Sequence, residues 1–388
     1  MSAAHPVWAI LLTALAVLFS FLLTRGQLPG QKQARFTSID GLRGYLAFFV
    51  FLHHSLIWHA YVQTGVWEVP PSHLYTHLGQ SSVSMFFMIT SFLFYTKLLD
   101  SRGKRFDWPK LLISRVLRLT PLYLFAMLVM LTMVAILSKG VAQDSVLYIT
   151  KCVVQWLSFT ITGAPSINQI NPLTMVAGVT WSLPYEWIFY LALPLLGLTT
   201  GVRAGWSFLA MSVVSLVFAA MHGFSLHFAL IFAGGMAGAV VVRHAGFKQF
   251  AASHAASALV VVCVLSLLWF PTAYGVPQLL LLTAAFSLIA GGASVFGALC
   301  CATSRRLGDT AYSIYLLHGI VLFVAFNFVA GVDTVKGLTP PMYWLFIAAL
   351  VPVLLGACFL TFRFIEQPGM ALTPQVMGVW RPPKETAI

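Results

Sequence analysis

Basic side chains interrupt one apolar stretch of the chain, where an ionisable group is costly to bury. Arg43, His53 and His54 all fall within the segment IDGLRGYLAFFVFLHHS. On a helix, the eleven-residue step from Arg43 to His54 returns to within about 20° of the same face and advances roughly 16 Å. His54 then lies near the midplane of a bilayer, in line with Arg43, and His53 is rotated by about a quarter turn. His54 is a candidate general base for a hydroxyl group; the alternative is a hydrogen bond across a helix interface.

A carboxylate and another histidine occur in similar apolar surroundings. Glu186 follows Trp181, Ser182 and Tyr185 in the segment TWSLPYEWIFYLALPLL. It either orients an acceptor or a catalytic group, or it forms a structural ion pair or a capped helix start. His318 falls in LGDTAYSIYLLHGIV, roughly 9 Å into a further apolar segment, and for it we favour a hydrogen bond between helices.

Paired arginines occur in the segment SRVLRLTP. The three-residue spacing of Arg115 and Arg118 places both guanidinium groups on one helix face. Two guanidinium groups in that arrangement suit a ligand that carries phosphate. For Arg102, Lys104 and Arg105, which precede them, a topology signal is the favoured interpretation.

Other chemistries lack their usual sequence signals. The sequence contains no HExxH, GxxxxGK or GxSxG motif and no Cys/His spacing typical of a metal site. His53 and His54 are adjacent, which is the wrong spacing for two ligands on one helix face. We therefore predict no bound metal.

The composition predicts an all-α, polytopic membrane protein. Of the 388 residues, 59% are hydrophobic and 8% are charged, whereas about 25% are charged in a soluble domain. The net charge of +12 is interpreted as a topology signal, because no basic run is interleaved with aromatic residues as nucleic-acid binding would require. Gly234, Gly235 and Gly238 are expected to allow close helix packing.

Eleven apolar runs are predicted to cross the bilayer as helices. They lie near residues 7–23, 44–62, 79–98, 119–138, 180–198, 205–221, 225–242, 255–270, 276–300, 312–330 and 343–362.

The positive-inside rule assigns the topology. Residues 146–163 are long enough to cross, but an external amphipathic or re-entrant placement leaves only Lys139, Lys151 and Lys336 outside. The N-terminus is then outside and the C-terminus is cytoplasmic. Basic residues follow the first run, which indicates a retained anchor and not a cleaved signal peptide: they are Arg25, Lys32 and Arg35.

Three regions follow from these observations. Residues 1–35 form an additional N-terminal transmembrane anchor with a basic linker, residues 36–368 form one membrane-embedded unit, and residues 369–388 form a cytoplasmic tail. The basic tail residues Arg381 and Lys384 are cytoplasmic in this topology.

The chain resembles the acyltransferase 3 family of integral membrane acyltransferases over residues 36–368. Five segments occur in the family's order: IDGLRGYLAFFVFLHH, SRVLRLTPLY, WSLPYEWIFYLALPL, LGDTAYSIYLLH and FRFIEQP. The resemblance implies a bacterial cytoplasmic (inner) membrane protein, without the SGNH domain of some members. It implies an acyl-CoA donor, often acetyl-CoA, and transfer to a hydroxyl of an extracytoplasmic glycan or glycolipid.

The resemblance also implies residue roles. The family's basic residue and its histidine fall on Arg43 and His54, and its WSL-x-x-E block ends at Glu186. Thr90 and Ser91 replace the Ser-Gly that is usual in the family, which is expected to change packing or pocket shape. We therefore predict that His54, Arg43 and Glu186 are catalytic. Arg115, Arg118 and Arg43 are predicted to bind acyl-CoA. The residues predicted to bind the acceptor are Trp181, Ser182, Tyr185, His53 and His318.

Three alternatives remain at this point. One is a small-molecule O-acyltransferase of the macrolide type, another is a secondary transporter or flippase with a His/Glu/Arg relay, and the third is a non-catalytic membrane subunit. The expected partners are acyl-CoA, a carbohydrate or glycolipid acceptor and the lipid bilayer. Nucleic acid is not expected, and the oligomeric state, the acyl length and the choice between direct transfer and an acyl-enzyme stay open.

Overall fold

The computed structural model describes residues 2–25, 36–69, 71–104 and 106–380. Within these ranges the chain is helical and has no strand, only an isolated bridge between Ile167 and Ile170. The α-helices are α1 Pro6–Thr24, α2 Thr37–Thr64, α3 His73–Asp100, α4 Trp108–Leu137, α5 Val146–Leu157, α6 Ser182–Thr199, α7 Trp206–Met221, α8 Leu226–Val241, α9 Ala245–Ala251, α10 His254–Ser266, α11 Val276–Gly291, α12 Ala302–Asp309, α13 Ala311–Val324, α14 Val332–Lys336, α15 Pro340–Thr361, α16 Gln367–Ala371 and α17 Thr373–Trp380.

Four shorter helical segments complete the fold. Two of them are 3-10 segments, Val179–Trp181 and Leu267–Trp269. Two π-helical segments, Ala325–Val329 and Phe362–Glu366, continue α13 and α15. The all-α prediction is therefore correct for the part of the chain that the structure describes.

Six helices in the described ranges are long and apolar enough to cross a membrane, and a seventh span results if α8 and α9, bent by 106°, are taken together. Helices do occur at all eleven predicted positions. However, α7 and α11 have 16 residues each, and a rise of about 24 Å is less than the roughly 30 Å hydrocarbon core. The count of eleven is therefore not confirmed, and the orientation of the termini stays a prediction. The basic residues Lys32, Arg35, Arg105, Arg381 and Lys384 lie outside the described residues.

The ambiguous segment at residues 146–163 contains only a short helix, α5. Its 12 residues rise about 18 Å, which is too little to cross a bilayer. Leu147 is 82% exposed, whereas Trp156 is fully buried and its Nε1 donates to the carbonyl of Pro165 at 2.8 Å. The helix thus has one packed face and one apolar exposed face, as an interfacial helix does; its external placement stays a prediction.

Helix α2 packs against α3, α12 and α13. Its contact with α12 is a backbone contact: a Cβ on Gly308 would lie 1.7 Å from the Asp40 carbonyl oxygen, and one on Gly44 would lie 2.7 Å from the Gly308 nitrogen. No side chain fits between the two helices at this point. Because Arg43 lies between Asp40 and Gly44, this contact fixes its position.

The packing of α3 against α8 also depends on glycine. A Cβ on Gly235 would lie 2.1 Å from Ser91 Oγ and 2.2 Å from the Met88 carbonyl oxygen, both on α3. One on Gly234 would lie 2.6 Å from Thr283 Oγ1, on α11. The predicted close packing of these glycines is confirmed. Ser91, one of the two departures from the family pattern, lies in this contact.

We expect the substitution Gly308→Ala to destabilise the protein by about 1–3 kcal/mol or more, because backbone atoms must move to admit the methyl group. Thermal unfolding in detergent measures the change. Gly356→Ala on α15 is the matched control, since a Cβ there meets no atom within 4 Å. Equal unfolding temperatures for the two variants would contradict this account of the α2–α12 contact.

Candidate functional site

A cavity of about 310 Å³ is lined by half of the predicted site residues. Helices α2, α3, α4, α6 and α13 contribute to its wall. Its charged lining residues are Arg43, Arg115, Arg118 and Glu186. We call this space the arginine cavity.

Helix α4 supplies two of the three guanidinium groups. Asp107 caps the helix by accepting from the Lys110 backbone N–H at 3.0 Å. Arg115 lies over the Phe94 ring at 5.0 Å, and its Nε is buried without a hydrogen-bond partner among the described residues. Arg118 donates to the sulfur of Met370 at 3.1 Å, which is a weak acceptor. These donors are therefore incompletely satisfied by the protein, as expected of a site for an anion.

The third guanidinium, Arg43, lies among charges of both signs. Asp40, Asp309 and Glu366 attract it and Arg118 repels it. Asp309 ends the short helix α12, outside the candidate spans. Burial raises the pKa of the Asp309 carboxyl group above its ordinary value, and Arg43 acts in the opposite direction.

Glu366 comes from the segment FRFIEQP and is the last residue of the second π-helical segment. It is fully buried, accepts a hydrogen bond from Ser313 on α13, and its Oε2 has no partner among the described residues. The Glu366 carboxyl group therefore lies near enough to Arg43 and Arg118 to interact with both, without lining the arginine cavity.

Glu186 is held by side chains of two helices. Tyr190, one turn further along α6, donates to its Oε1, and Thr90 of α3 donates to the same oxygen at 3.3 Å. Arg115 lies close enough to interact electrostatically with Glu186 and Tyr190. Thr90, the other departure from the family pattern, thus contributes directly to the wall of the cavity.

A second cavity, of about 200 Å³, adjoins the predicted base. Both His53 and His54 line it, together with Gln80, Trp181 and Tyr274. It lies toward the His73 end of α3, and we call it the histidine cavity. A monosaccharide ring could stack on its aromatic side chains and bond to its polar ones.

The two adjacent histidines have different surroundings. His53 Nδ1 bonds to the Tyr75 carbonyl oxygen at 2.7 Å, and its ring is pressed onto α3, where a Cβ on Gly79 would lie 2.5 Å from it. His54 Nδ1 lies 3.0 Å from the Val50 carbonyl oxygen and 3.0 Å from His318 Nε2. The two rings therefore have different neighbours, as their quarter-turn separation on the helix implies.

The cavities adjoin one another. Val83 and Tyr315 line both the arginine cavity and the histidine cavity. Tyr315 is held there, since its hydroxyl bonds to Ser182 Oγ at 2.8 Å and to the Val179 carbonyl oxygen at 3.1 Å. A third space, of about 520 Å³ and containing Lys97, shares Leu93 with the arginine cavity. The three spaces therefore follow one another along the axis of α3.

Most of the residues singled out from the sequence line these spaces. Arg43, Arg115, Arg118, Ser182 and Glu186 line the arginine cavity, and His53, His54 and Trp181 line the histidine cavity.

Two other predicted residues line neither cavity. Tyr185 packs among Phe224 and Phe228, with ring centroids at 4.6 and 4.7 Å. His318 is fully buried and lies behind His54. The hydrogen bond between helices that the sequence favoured for His318 is present.

Several lining residues were not identified from the sequence. Tyr190 could have been found, because it lies one helical turn from Glu186 on the same face. Gln80 and Tyr274 could not, since the link between them is tertiary: Gln80 Oε1 accepts from Thr272 Oγ1 at 2.8 Å and from the Ala273 N–H at 2.9 Å.

The apolar helices and the buried polar cavities define an integral membrane protein with an internal site. The family model described as an acyltransferase domain matches residues 36–363. The chain therefore belongs to the acyltransferase 3 family, and it is a membrane acyltransferase. Comparison with curated proteins and with solved structures gives no match.

We expect Tyr190→Phe to destabilise the protein by about 1–3 kcal/mol, because it removes the closer of the two donors to the buried Glu186 Oε1. Tyr95→Phe is the control, since no hydrogen bond of the Tyr95 hydroxyl is found among the described residues. Thermal unfolding of both variants in the same detergent checks this. An unchanged midpoint for Tyr190→Phe would show that Thr90 alone satisfies the carboxylate.

Proposed function

We propose that this acyltransferase moves an acyl group, acetyl in the first place, from cytoplasmic acyl-CoA to a hydroxyl of an extracytoplasmic glycan or glycolipid. We place it in a bacterial cytoplasmic membrane. The observation that carries the proposal is the series of adjoining spaces, with cationic groups in one and His54 in the next. Such a series lets a donor and an acceptor approach one base from opposite sides.

The donor is assigned to the arginine cavity. Acyl-CoA carries several phosphates, and guanidinium groups bind phosphate with two parallel hydrogen bonds. Arg115 and Arg118 project from one face of α4, and Arg43 faces them from α2. The space around Lys97 is large enough to admit the nucleotide end of the donor, which leaves the pantetheine arm to extend along α3 toward Val83.

The acceptor is assigned to the histidine cavity. Trp181 and Tyr274 offer aromatic surfaces for the apolar face of a sugar, and Gln80 and His53 offer polar atoms. Glu186 lies in the arginine cavity, beyond the residues that the two cavities share. There its electrostatic interaction with Arg115 orients the guanidinium group. In this arrangement Glu186 acts on the donor side of the site.

Where the two cavities adjoin, the proposed reaction is a direct transfer of the acyl group from CoA to the acceptor. His54 takes the proton of the acceptor hydroxyl while that oxygen attacks the thioester carbonyl carbon. The carbon–sulfur bond then breaks, and the thiolate of CoA receives the proton from His54. The products are an ester and free CoA, so the base is regenerated without a further reactant. Direct transfer needs no acyl-enzyme, since the two cavities share Val83 and Tyr315.

We expect His54→Ala to lower turnover by about 10²- to 10⁴-fold, the usual contribution of a general base. Release of free thiol from acetyl-CoA, stimulated by a cell-envelope glycan extract, measures turnover of purified protein in nanodiscs. His59→Ala on the same helix is the control, because His59 lines neither cavity. Near wild-type turnover of a folded His54→Ala variant would refute the assignment, and the absence of acyl-CoA binding would favour a transporter.

We expect Arg115→Gln to raise the KM for acetyl-CoA by about 10- to 100-fold, since a charge-assisted hydrogen bond contributes about 1.5–3 kcal/mol. The effect should vanish with S-acetylpantetheine, a donor without phosphate. Lys139→Gln, at an exposed position away from the cavities, controls for the loss of one positive charge. An equal rise in KM for both donors would show that Arg115 does not bind phosphate.

A further inference from the structure

His318 and His54 form a hydrogen-bonded pair between α13 and α2. His318 Nε2 lies 3.0 Å from His54 Nδ1, and the ring centroids are 5.0 Å apart. Each ring also bonds within its own helix, His318 Nδ1 to the Ile314 carbonyl oxygen and His54 Nδ1 to the Val50 carbonyl oxygen, both at 3.0 Å.

The partners of the two rings determine where the protons lie. A carbonyl oxygen can only accept, so the nitrogen that faces it must donate. His318 Nδ1 therefore carries a proton, and in the neutral ring its Nε2 is an acceptor. His54 Nδ1 faces two acceptors, His318 Nε2 and the Val50 carbonyl oxygen, and carries the proton that they share. In neutral His54 the lone pair is then on Nε2.

The environment of His318 separates it from the substrates. The side chain is fully buried and lines neither the arginine cavity nor the histidine cavity. Phe51 lies edge-on to its ring, with centroids 6.5 Å apart. By contrast, His54 lines the histidine cavity. His318 can therefore act on the reaction only through a neighbouring side chain, and among the cavity-lining residues its ring hydrogen-bonds to His54.

We propose that His318 is a positioning residue that orients His54 so that Nε2 is the catalytic base. This inference rests on the proposed function, in which His54 takes the proton of the acceptor. A neutral acceptor at Nδ1 holds the ring plane, and it stabilises the positive charge that His54 carries after it takes the proton. Because His318 lies on α13, the hydrogen bond between the two rings also holds His54 against a second helix.

Two substitutions at His318 separate orientation from simple packing. His318→Gln retains a carbonyl oxygen that can accept from His54 Nδ1, whereas His318→Phe fills the space without an acceptor. We expect kcat to fall on the order of 10- to 100-fold in His318→Phe, with the KM for acetyl-CoA within about twofold, and to be largely restored in His318→Gln. His59→Phe is the control for an equivalent change at a histidine outside the site.

Nitrogen NMR of histidine-labelled protein tests the tautomer directly. The His54 signals are identified by their loss in His54→Ala, and we expect Nε2 of wild-type His54 to be unprotonated and Nδ1 to be protonated. A protonated Nε2 would overturn the inference. So would equal losses of kcat in folded His318→Phe and His318→Gln, or wild-type kcat in His318→Phe. Each of those results leaves the proposed function intact if His54→Ala is inactive, whereas an active His54→Ala variant contradicts the proposed function itself.

Discussion

The close backbone contact between α2 and α12 is the constraint on which the rest of the site depends. It requires glycine on both helices, because a Cβ on Gly308 would overlap the Asp40 carbonyl and one on Gly44 would lie 2.7 Å from the Gly308 nitrogen. In a bilayer, close packing replaces the hydrophobic effect as the force that holds helices together. The contact brings Asp309 near Arg43 at one end of α2 and fixes the direction in which the helix carries His54 toward the other end.

The cost of burying charge in a membrane explains why carboxyl groups accompany the guanidinium groups of the site. Three guanidinium groups within an apolar protein repel one another, and they persist only if carboxylates or a ligand offset them. Asp40, Asp309 and Glu366 offset Arg43 in part, and Glu186 offsets Arg115. The carboxylates do not satisfy the buried Arg115 Nε. In the proposed function, the phosphates of the acyl donor supply the remaining negative charge.

A site placed inside the membrane has a further consequence for chemistry. An imidazole that bonds to backbone carbonyls and to another neutral imidazole is held without a fixed negative charge nearby, so it can be a base without being permanently protonated. His53, the preceding residue, instead bonds through Nδ1 to the Tyr75 carbonyl oxygen, and its ring packs against Gly79. Adjacent positions on α2 thus give the two imidazole rings different partners, because successive side chains point about 100° apart. The proposed function assigns the role of base to His54 alone.

The sequence by itself was sufficient for the all-α membrane class, the family, and the candidate residues His54, Arg43, Arg115, Arg118 and Glu186. These follow from apolar runs, from helical spacing and from the high cost of polar groups in lipid, all of which are local properties. The tertiary structure decided which of these residues line the same cavity. It also decided that Tyr190 and Thr90 hydrogen-bond to Glu186 and that His318 lies behind His54. Gln80 and Tyr274 line the histidine cavity for the same reason. The predicted count of eleven spans is not confirmed, because an apolar run does not reveal where its helix ends or bends. Contacts between distant segments depend on how helices pack, and helical periodicity within one segment carries no information about its neighbours.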